Sequence, residues 1–416
     1  MRRLISRRYY PRRKTTVKTI DSQHFAKINA VPVSLLQSAP ADYAIRDLSH
    51  VLTPALAIYA DNVAHNIDTT IALLGNDPGR WRPHLKTAKL SYVMRMLVER
   101  GVKAVKCATT LELLRACEAG FEDVLLAYPV AGANAQRAAE IALAFPHVTV
   151  SVLVDSLLEV KQWAGSRIGI FLDIDPGMGR TGLPQDDGEQ IVRVAQYVKE
   201  SGIRFRGLHY YDGHIHDADM EIRTRKAHAG YDRLLEIVGL LESKGIDVGE
   251  VIAGGTPVLP CLLSYPGFKG AAFIQRVSPG TVVYFDSNTL GVLPSSIGYR
   301  PAAVVLSRVV STSVPGRLAC DAGHKAVSVD SGVPNCVVLG WDGLLPLKPS
   351  EEHLPVSVAP GAVAPALGEI LYLFPKHICP TVNNFSQALI VQEGEIIGVE
   401  MVSARGREGP LWSPQS

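Results

Sequence analysis

The run RIGIFLDIDPGMGRTGL, residues 167–183, decides the fold. Its first half is β-rich and gives way to a loop punctuated by glycine, and the amphipathic segment GEQIVRVAQYVKESG (188–202) follows. The same unit recurs in both directions. Upstream, PALAIYA (54–60) precedes DNVAHNIDTTIALLG (61–75), RWRPHLKT (80–87) precedes LSYVMRMLVERG (90–101), and VKAVKCA (102–108) precedes TLELLRACEAG (110–120). DVLLAYPV (123–130) then precedes NAQRAAEIALAF (134–145), and VTVSVLVDS (148–156) precedes LLEVKQWAG (157–165). Downstream, FRGLHYYDG (205–213) precedes MEIRTRKAHAGYDRLLEIVGLLESKG (220–245), and VGEVIAGG (248–255) closes the series. Eight β-then-α units predict an α/β fold, a (β/α)8 TIM-type barrel.

Beyond about residue 300 the pattern changes to β-rich runs separated by Gly, Pro and Asp, among them AAVVLSRVVSTS (302–313) and QALIVQEGEIIGVEMV (387–402). No long helical period occurs there, so a second, mainly β domain is expected. The expected division is a basic tail over 1–21, the barrel with its lead-in over 22–298, and the β domain over 299–416. With 416 residues the chain has room for both units.

Composition narrows the function. Hydrophobic residues make up 47% and charged residues 20% of the chain, an ordinary globular balance. The net charge is +2, and MRRLISRRYYPRRKTTVK at the start carries six arginines and two lysines before the first acidic residue, Asp21. The rest therefore has no polyanion-binding character, and nucleic acid is not an expected partner. The basic start reads either as a transit peptide or as a disordered tail outside the fold. Six cysteines without a close-spaced framework suit reduced thiols in a cytoplasm. No apolar run reaches the roughly 18 residues of a membrane span.

Catalytic groups of such barrels sit at the C-terminal ends of strands. RPHLKTAK (82–89) would put Arg82, His84 and Lys86 on one strand face with Lys86 at the mouth. Lys86 is then either a solvated strand-end lysine or an uncharged amine able to form a Schiff base with an aldehyde cofactor. AGGTP after the last strand of the series offers the backbone N–H groups of Gly254 and Gly255 and the Thr256 hydroxyl to a phosphate, or it is only a turn. Asp173 and Asp175 share a strand face ahead of Arg180, consistent with barrel-lining carboxylates and a tight turn. HYYDGHIHD crowds His209, Tyr211, Asp212, His214 and His216, a hydrogen-bonding loop or a metal site. Near the C-terminus, His377 and Cys379 in FPKHICPTVNN (374–384) are at strand spacing, so an extended segment would present both to one ion. Two such ligands leave positions open for substrate, as in a Lewis-acid site; packed core residues are the alternative.

Taken together, TPALAIYADNVAHNI, RPHLKTAK, DIDPGMGRTGL, GGTP, SPGTVVYFD, DAGHKAVSVDSG and HICPTVNN resemble, in that order, the D-threonine aldolase and D-serine dehydratase family. These are pyridoxal 5′-phosphate enzymes with an alanine racemase-type barrel followed by a β domain, and the resemblance spans roughly residues 50–410. It implies that Lys86 rather than Lys89 holds the cofactor, and that Gly254, Gly255 and Thr256 contribute to the phosphate pocket. It further implies that His84, Tyr211 and Arg180 line the cofactor or substrate pocket, and that His377 and Cys379 bind a divalent metal, zinc or else manganese or magnesium. Two departures stand out: Ala88-Lys89 where His-Lys is often found, and Ser278 where an arginine is common. The implied partner is a small D-amino acid, and the implied assembly is a monomer or a homodimer.

The chemistry implied is a lyase reaction on a D-3-hydroxy amino acid, with the pyridinium ring as electron sink and the metal on the β-hydroxyl. Loss of the hydroxyl gives a 2-oxo acid and ammonia; cleavage of Cα–Cβ gives glycine and an aldehyde. A thiolate ligand at Cys379 favours the D-serine-type dehydratase over the D-threonine aldolase. An amino acid racemase and a non-catalytic cofactor-binding protein are the remaining readings.

Overall fold

The structure, a computed structural model, describes residues 42–409. The expectation for the basic tail of residues 1–21 lies outside these.

The first strand among the described residues is β1 (Ala55–Tyr59), followed by α1 (Ala60–Leu73). The barrel strands are β2 (Ala104–Cys107), β3 (Asp123–Leu126), β4 (Thr149–Val154), β5 (Gly169–Asp175), the short β6 (Leu183–Pro184), β7 (Phe205–Tyr210), β8 (Glu250–Ala253) and β9 (Ile274–Val277). Helices α2 (Ser91–Glu99), α3 (Thr110–Ala119), α4 (Ala133–Ala144), α5 (Leu157–Lys161), α6 (Gly188–Glu200), α7 (Met220–Ser243), α8 (Leu259–Ser264) and α9 (Ser287–Val292) connect or follow them. All barrel pairings are parallel, in the order β2-β3-β4-β5-β7-β8-β9, with β6 beside β5. Residues 81–85 close the ring: Trp81 bridges Val277 of β9 and His84 bridges Lys106 of β2, both in parallel. The Arg82 N–H donates to Val277 O at 2.9 Å and the Leu85 N–H to Lys106 O at 2.8 Å. This makes eight staves, as the β/α alternation predicts.

The identity of two staves differs from the sequence reading. PALAIYA is not a barrel strand: β1 pairs antiparallel with β10 (Ala303–Ser311) and parallel with β16 (Gln387–Gln392). The remaining stave is β9, which brings Gln275 and Arg276 into a strand too short and too polar to read as one. RWRPHLKT is thus the first stave, HYYDG ends the sixth, and GGTP follows the seventh.

Between β10 and β16 come β11 (Arg317–Cys320), β12 (Cys336–Val338), β13 (Leu344–Pro346), β14 (Leu354–Val358), β15 (Ile370–Pro375) and α10 (Ile378–Asn383); β17 (Glu395–Met401) is the last strand of the described residues. The second sheet has nine strands in the order β13-β14-β11-β10-β1-β16-β17, with β15 paired to β10 and β12. It is mainly antiparallel, as expected. No helix among the described residues is long and apolar enough to cross a membrane.

Alternation along the staves stacks the barrel interior in layers. At the N-terminal end Arg82, Asp123, Arg206, Glu250 and Arg276 form a buried ion network. Leu125, Leu153, Phe171 and Ile252 make an apolar layer above it. The Arg82 and Arg206 guanidiniums lie 5.7 and 5.3 Å from the Phe171 ring centroid, joining the two layers. Two residues further along the staves come Lys106, Asp173 and His209, where the barrel opens.

Candidate active site

Two adjoining cavities of about 440 and 650 Å³ occupy the C-terminal mouth of the barrel. His84, Lys86, Lys106 and Tyr211 line both, so Lys86 stands at their junction. Its position follows from the closing stave: after His84 the chain leaves the barrel in a turn that holds Lys86 at the mouth. The Lys86 N–H donates to His84 Nδ1 at 3.2 Å, which places the proton of a neutral His84 on Nε2, facing the cavities. Burial and the nearby Lys86 and Lys106 charges push His84 well below its usual range, so it is neutral there. Lys89 is turned away: its Nζ is 2.7 Å from Glu112 Oε1 and 3.1 Å from Ala404 O.

The smaller cavity also meets Asp173, Arg180 and His209. The Arg180 guanidinium lies 5.1 Å from the Tyr211 ring centroid, on a loop that Asp175 ties by accepting from the N–H groups of Gly177, Met178 and Gly179. Asp173 accepts from Thr181 Oγ1 at 2.8 Å and sits 2.7 Å from His209 Nδ1.

The larger cavity is lined by Gly255, Thr256, Ser278, Thr281, His377 and Cys379 among others. The amides of Gly255 and Thr256 donate to no protein acceptor among the described residues. Close packing of Tyr211 explains the glycines here: a Cβ on Gly213 would come within 2.4 Å of the Tyr211 ring, and one on Gly255 within 3.1 Å. Gly254 has φ +76° and does not line the cavity; it turns the chain so that the next two amides do. The Ser278 hydroxyl donates to Arg82 O at 2.9 Å, so it supports the closing stave.

His377 and Cys379 do meet, but not by strand spacing. His377 is the extended N-cap residue of α10, and Cys379 lies in the first turn of that helix. Asp286 holds the turn by accepting from the Ile378 N–H at 3.0 Å. Burial works to lower His377, but Cys379, Asp330 and Asp286 outweigh it and raise it to about 9. Burial works to raise Cys379, but the His377 charge, with help from Lys86, brings it below its usual value. The pair is therefore predisposed to an imidazolium facing a thiolate, and the thiolate is the form that binds a metal. Thr87 Oγ1 is 3.0 Å from the sulfur.

Among the described residues no cluster of three or more His, Cys, Asp or Glu has metal-binding geometry. His377 and Cys379 thus offer two donors, and the His209 to His216 loop gives no metal cluster. Imidazole nitrogen with thiolate sulfur suits a borderline-soft divalent ion. The cavities also suit an aldehyde-bearing phosphorylated cofactor: an amine at their junction, unpaired amides at one side and an aromatic ring with a guanidinium at the other.

Sequence reasoning missed two groups. Asp330 Oδ2 lies 2.6 Å from His377 Nδ1, fixing the ring so that Nε2 points the other way. Forty-seven residues separate the two in sequence, and only the fold joins them. Lys106 is one lysine in the β-rich run VKAVKCA; its inward register on a barrel strand was the available signal.

Comparison with known proteins adds two family matches. The family model described as alanine racemase, N-terminal domain, matches residues 58–288, and that of a putative serine dehydratase domain matches residues 302–391. D-threonine aldolase of an Arthrobacter species is 27% identical over 86% of this chain and 94% of its own. D-threo-3-hydroxyaspartate dehydratase of a Delftia species is 24% identical over 80% of this chain and 92% of its own. The crystal structure of D-threonine aldolase from Filomicrobium marinum superposes with a TM-score of 0.79 at 26% identity, covering 88% of this chain and 99% of that one.

Proposed function

The chain belongs to the alanine racemase N-terminal domain family, and from that premise we propose that it is a pyridoxal 5′-phosphate- and metal-dependent lyase of D-3-hydroxy amino acids, of the dehydratase kind. The observation that carries the proposal is the shared cavity: the Lys86 amine and the His377–Cys379 pair line the same 650 Å³ space from opposite domains of the chain. Lys86 would hold the cofactor, with the free amides of Gly255 and Thr256 toward its phosphate and His84, Arg180 and Tyr211 around its ring. His377 and Cys379 would hold the metal, and their donor set favours zinc over manganese or magnesium. When bound, the cofactor supplies an electron sink for charge at Cα and the metal supplies Lewis acidity toward the β-hydroxyl.

The chain's own residues bias the outcome. With the cofactor bound, Lys86 would hold it and would be the amine at the cavity junction able to accept a proton from Cα. The carboxylates beside the metal pair are engaged: Asp286 accepts from Ile378 N and Thr289, and Asp330 from Ser328 Oγ while bonded to His377. Asp330 does not line the cavity and Asp286 is held by three hydrogen bonds, so neither is well placed to take the hydroxyl proton, which cleavage of Cα–Cβ needs and elimination does not. His216, which lines the same cavity, could take that proton and so supports the aldolase as a second reading.

Turnover of D-serine and D-threonine, with and without chelator, tests the proposal when 2-oxo acid and aldehyde are followed separately. Chelator-sensitive 2-oxo acid is the expected result. Chelator-sensitive aldehyde would transfer the function to the aldolase, and activity indifferent to chelator would remove the metal from the account.

A further inference from the structure

The mouth of the barrel contains a second amine that the reaction as described does not use. Lys106 projects from β2, is 3% exposed, and lines both cavities together with Lys86. No carboxylate among the described residues lies within ion-pair distance of it. Its Nζ is 3.1 Å from His209 Nε2, and His209 Nδ1 is 2.7 Å from Asp173 Oδ1. Burial and the Lys106 charge lower His209 against the opposing pull of Asp173, so the ring is neutral. A neutral ring that donates through Nδ1 to Asp173 must accept at Nε2, and Lys106 supplies that hydrogen bond. A neutral Lys106 is left with one further N–H and a lone pair. Because Lys106 lines both cavities, these remain for a group bound there.

Resting on the proposed function, the need for such a group is chemical. A D-amino acid arrives as an ammonium ion, whereas displacing Lys86 from the cofactor requires a free amine. The Lys86 nitrogen is itself occupied in the resting holoenzyme. We propose that Lys106 is the base that deprotonates the incoming substrate ammonium, and that His209 and Asp173 are the positioning residues that aim it. The step balances: the substrate ammonium gives its proton to the Lys106 amine, leaving a neutral substrate amine and a Lys106 ammonium. The proton returns to the departing amine or enamine when Lys86 reattaches, and ammonia forms when the released enamine hydrolyses.

The groups facing Lys106 are Lys86 and His84 from the first stave, Asp173 and Arg180 from β5 and its loop, and His209, Tyr211 and Asp212 from β7 and its end, with the Tyr211 ring centroid 5.3 Å from the Lys106 Nζ. Burial first, then the Lys86 charge, lowers Lys106 to about 7, against Asp173 and Asp212, which raise it. A neutral fraction is thus available at physiological pH.

The test uses holoenzyme mixed rapidly with D-alanine, which has no β-hydroxyl to lose, and follows the absorbance change of the bound cofactor as its lysine is displaced. In the wild type the rate should rise with pH through a midpoint well below the ordinary lysine range. Lys106→Met should slow it at least tenfold at pH 7 and move the rise up to the range of the free amino acid's own ammonium, so that high pH restores the rate. Lys106→Arg, which keeps a donor toward His209 but cannot lose its charge, should match the Met variant. Asp173→Asn should shift the midpoint without abolishing the rise. In turnover, kcat/KM should carry the loss and kcat much less of it. A wild-type profile retained in Lys106→Met overturns the inference alone. Failure of the wild-type protein to take up pyridoxal phosphate, with no cofactor absorbance to follow, would instead overturn the functional reading beneath it.

Discussion

The ion network at the base of the barrel should respond to its two central substitutions in a particular order. Glu250 accepts from Arg82 Nε at 2.8 Å and Nη2 at 3.0 Å, and lies 3.1 Å from Arg276 Nε and 3.6 Å from Arg206 Nη2. Arg82 also reaches Asp123 at 2.8 and 3.1 Å and is fully buried. Three guanidiniums and two carboxylates leave one positive charge in excess. Glu250→Gln keeps the shape but leaves three cations facing one anion, whereas Arg82→Met leaves two facing two. Removing one partner of a buried pair costs about 3–5 kcal/mol. Glu250→Gln should sit at the top of that range and Arg82→Met at the bottom. At about 2 °C per kcal/mol for a chain of this size, melting should fall by about 10 °C and about 6 °C respectively. Calorimetry or far-UV circular dichroism on the purified protein reads both. A lower melting point for Arg82→Met than for Glu250→Gln, or shifts under about 2 °C in both, would refute the charge argument.

Asp330→Asn should weaken zinc binding about 10- to 100-fold in a chelator-competition titration while leaving the melting temperature of the metal-free protein nearly unchanged, because it loosens the ring of His377 and little else. Lys89→Met should destabilise by about 3–5 kcal/mol, since it strands the buried Glu112 carboxylate, yet the folded fraction should still take up cofactor; loss of uptake in well-folded protein would return Lys89 to the site. Truncation after residue 298 removes β10 and β16, both neighbours of β1, and should give an aggregating, inactive fragment by light scattering and assay; full activity would dissolve the two-part site.

How far the fold could be read depended on which side of each strand the informative residues lay. The β/α alternation gave the right architecture, since its helices carry long amphipathic periods that no sandwich would have. β1 misled because a strand buried on both faces has the same composition in the middle of a mixed sheet as in a barrel. β9 escaped notice because its inward residue, Arg276, serves the ion network and breaks the apolar run. In the site, Lys86, Tyr211, Arg180, Gly255, Thr256, His377 and Cys379 all reached the cavities from motifs visible in the sequence. Gly254 contributes its turn instead of a lining atom. Asp330 and Lys106 do not stand out in the sequence, for different reasons: the role of one depends on a contact between distant segments, that of the other on which way a single strand residue points. The strand-spacing argument expected His377 and Cys379 side by side, and they are, but a helix N-terminus brings them together instead of an extended strand.

The most direct measurement is to load the protein with pyridoxal phosphate, reduce it with borohydride, and identify the lysine that carries the cofactor by peptide mass spectrometry. The account predicts Lys86 alone. Cofactor found on Lys89 or Lys106, or on no lysine at all, would contradict it.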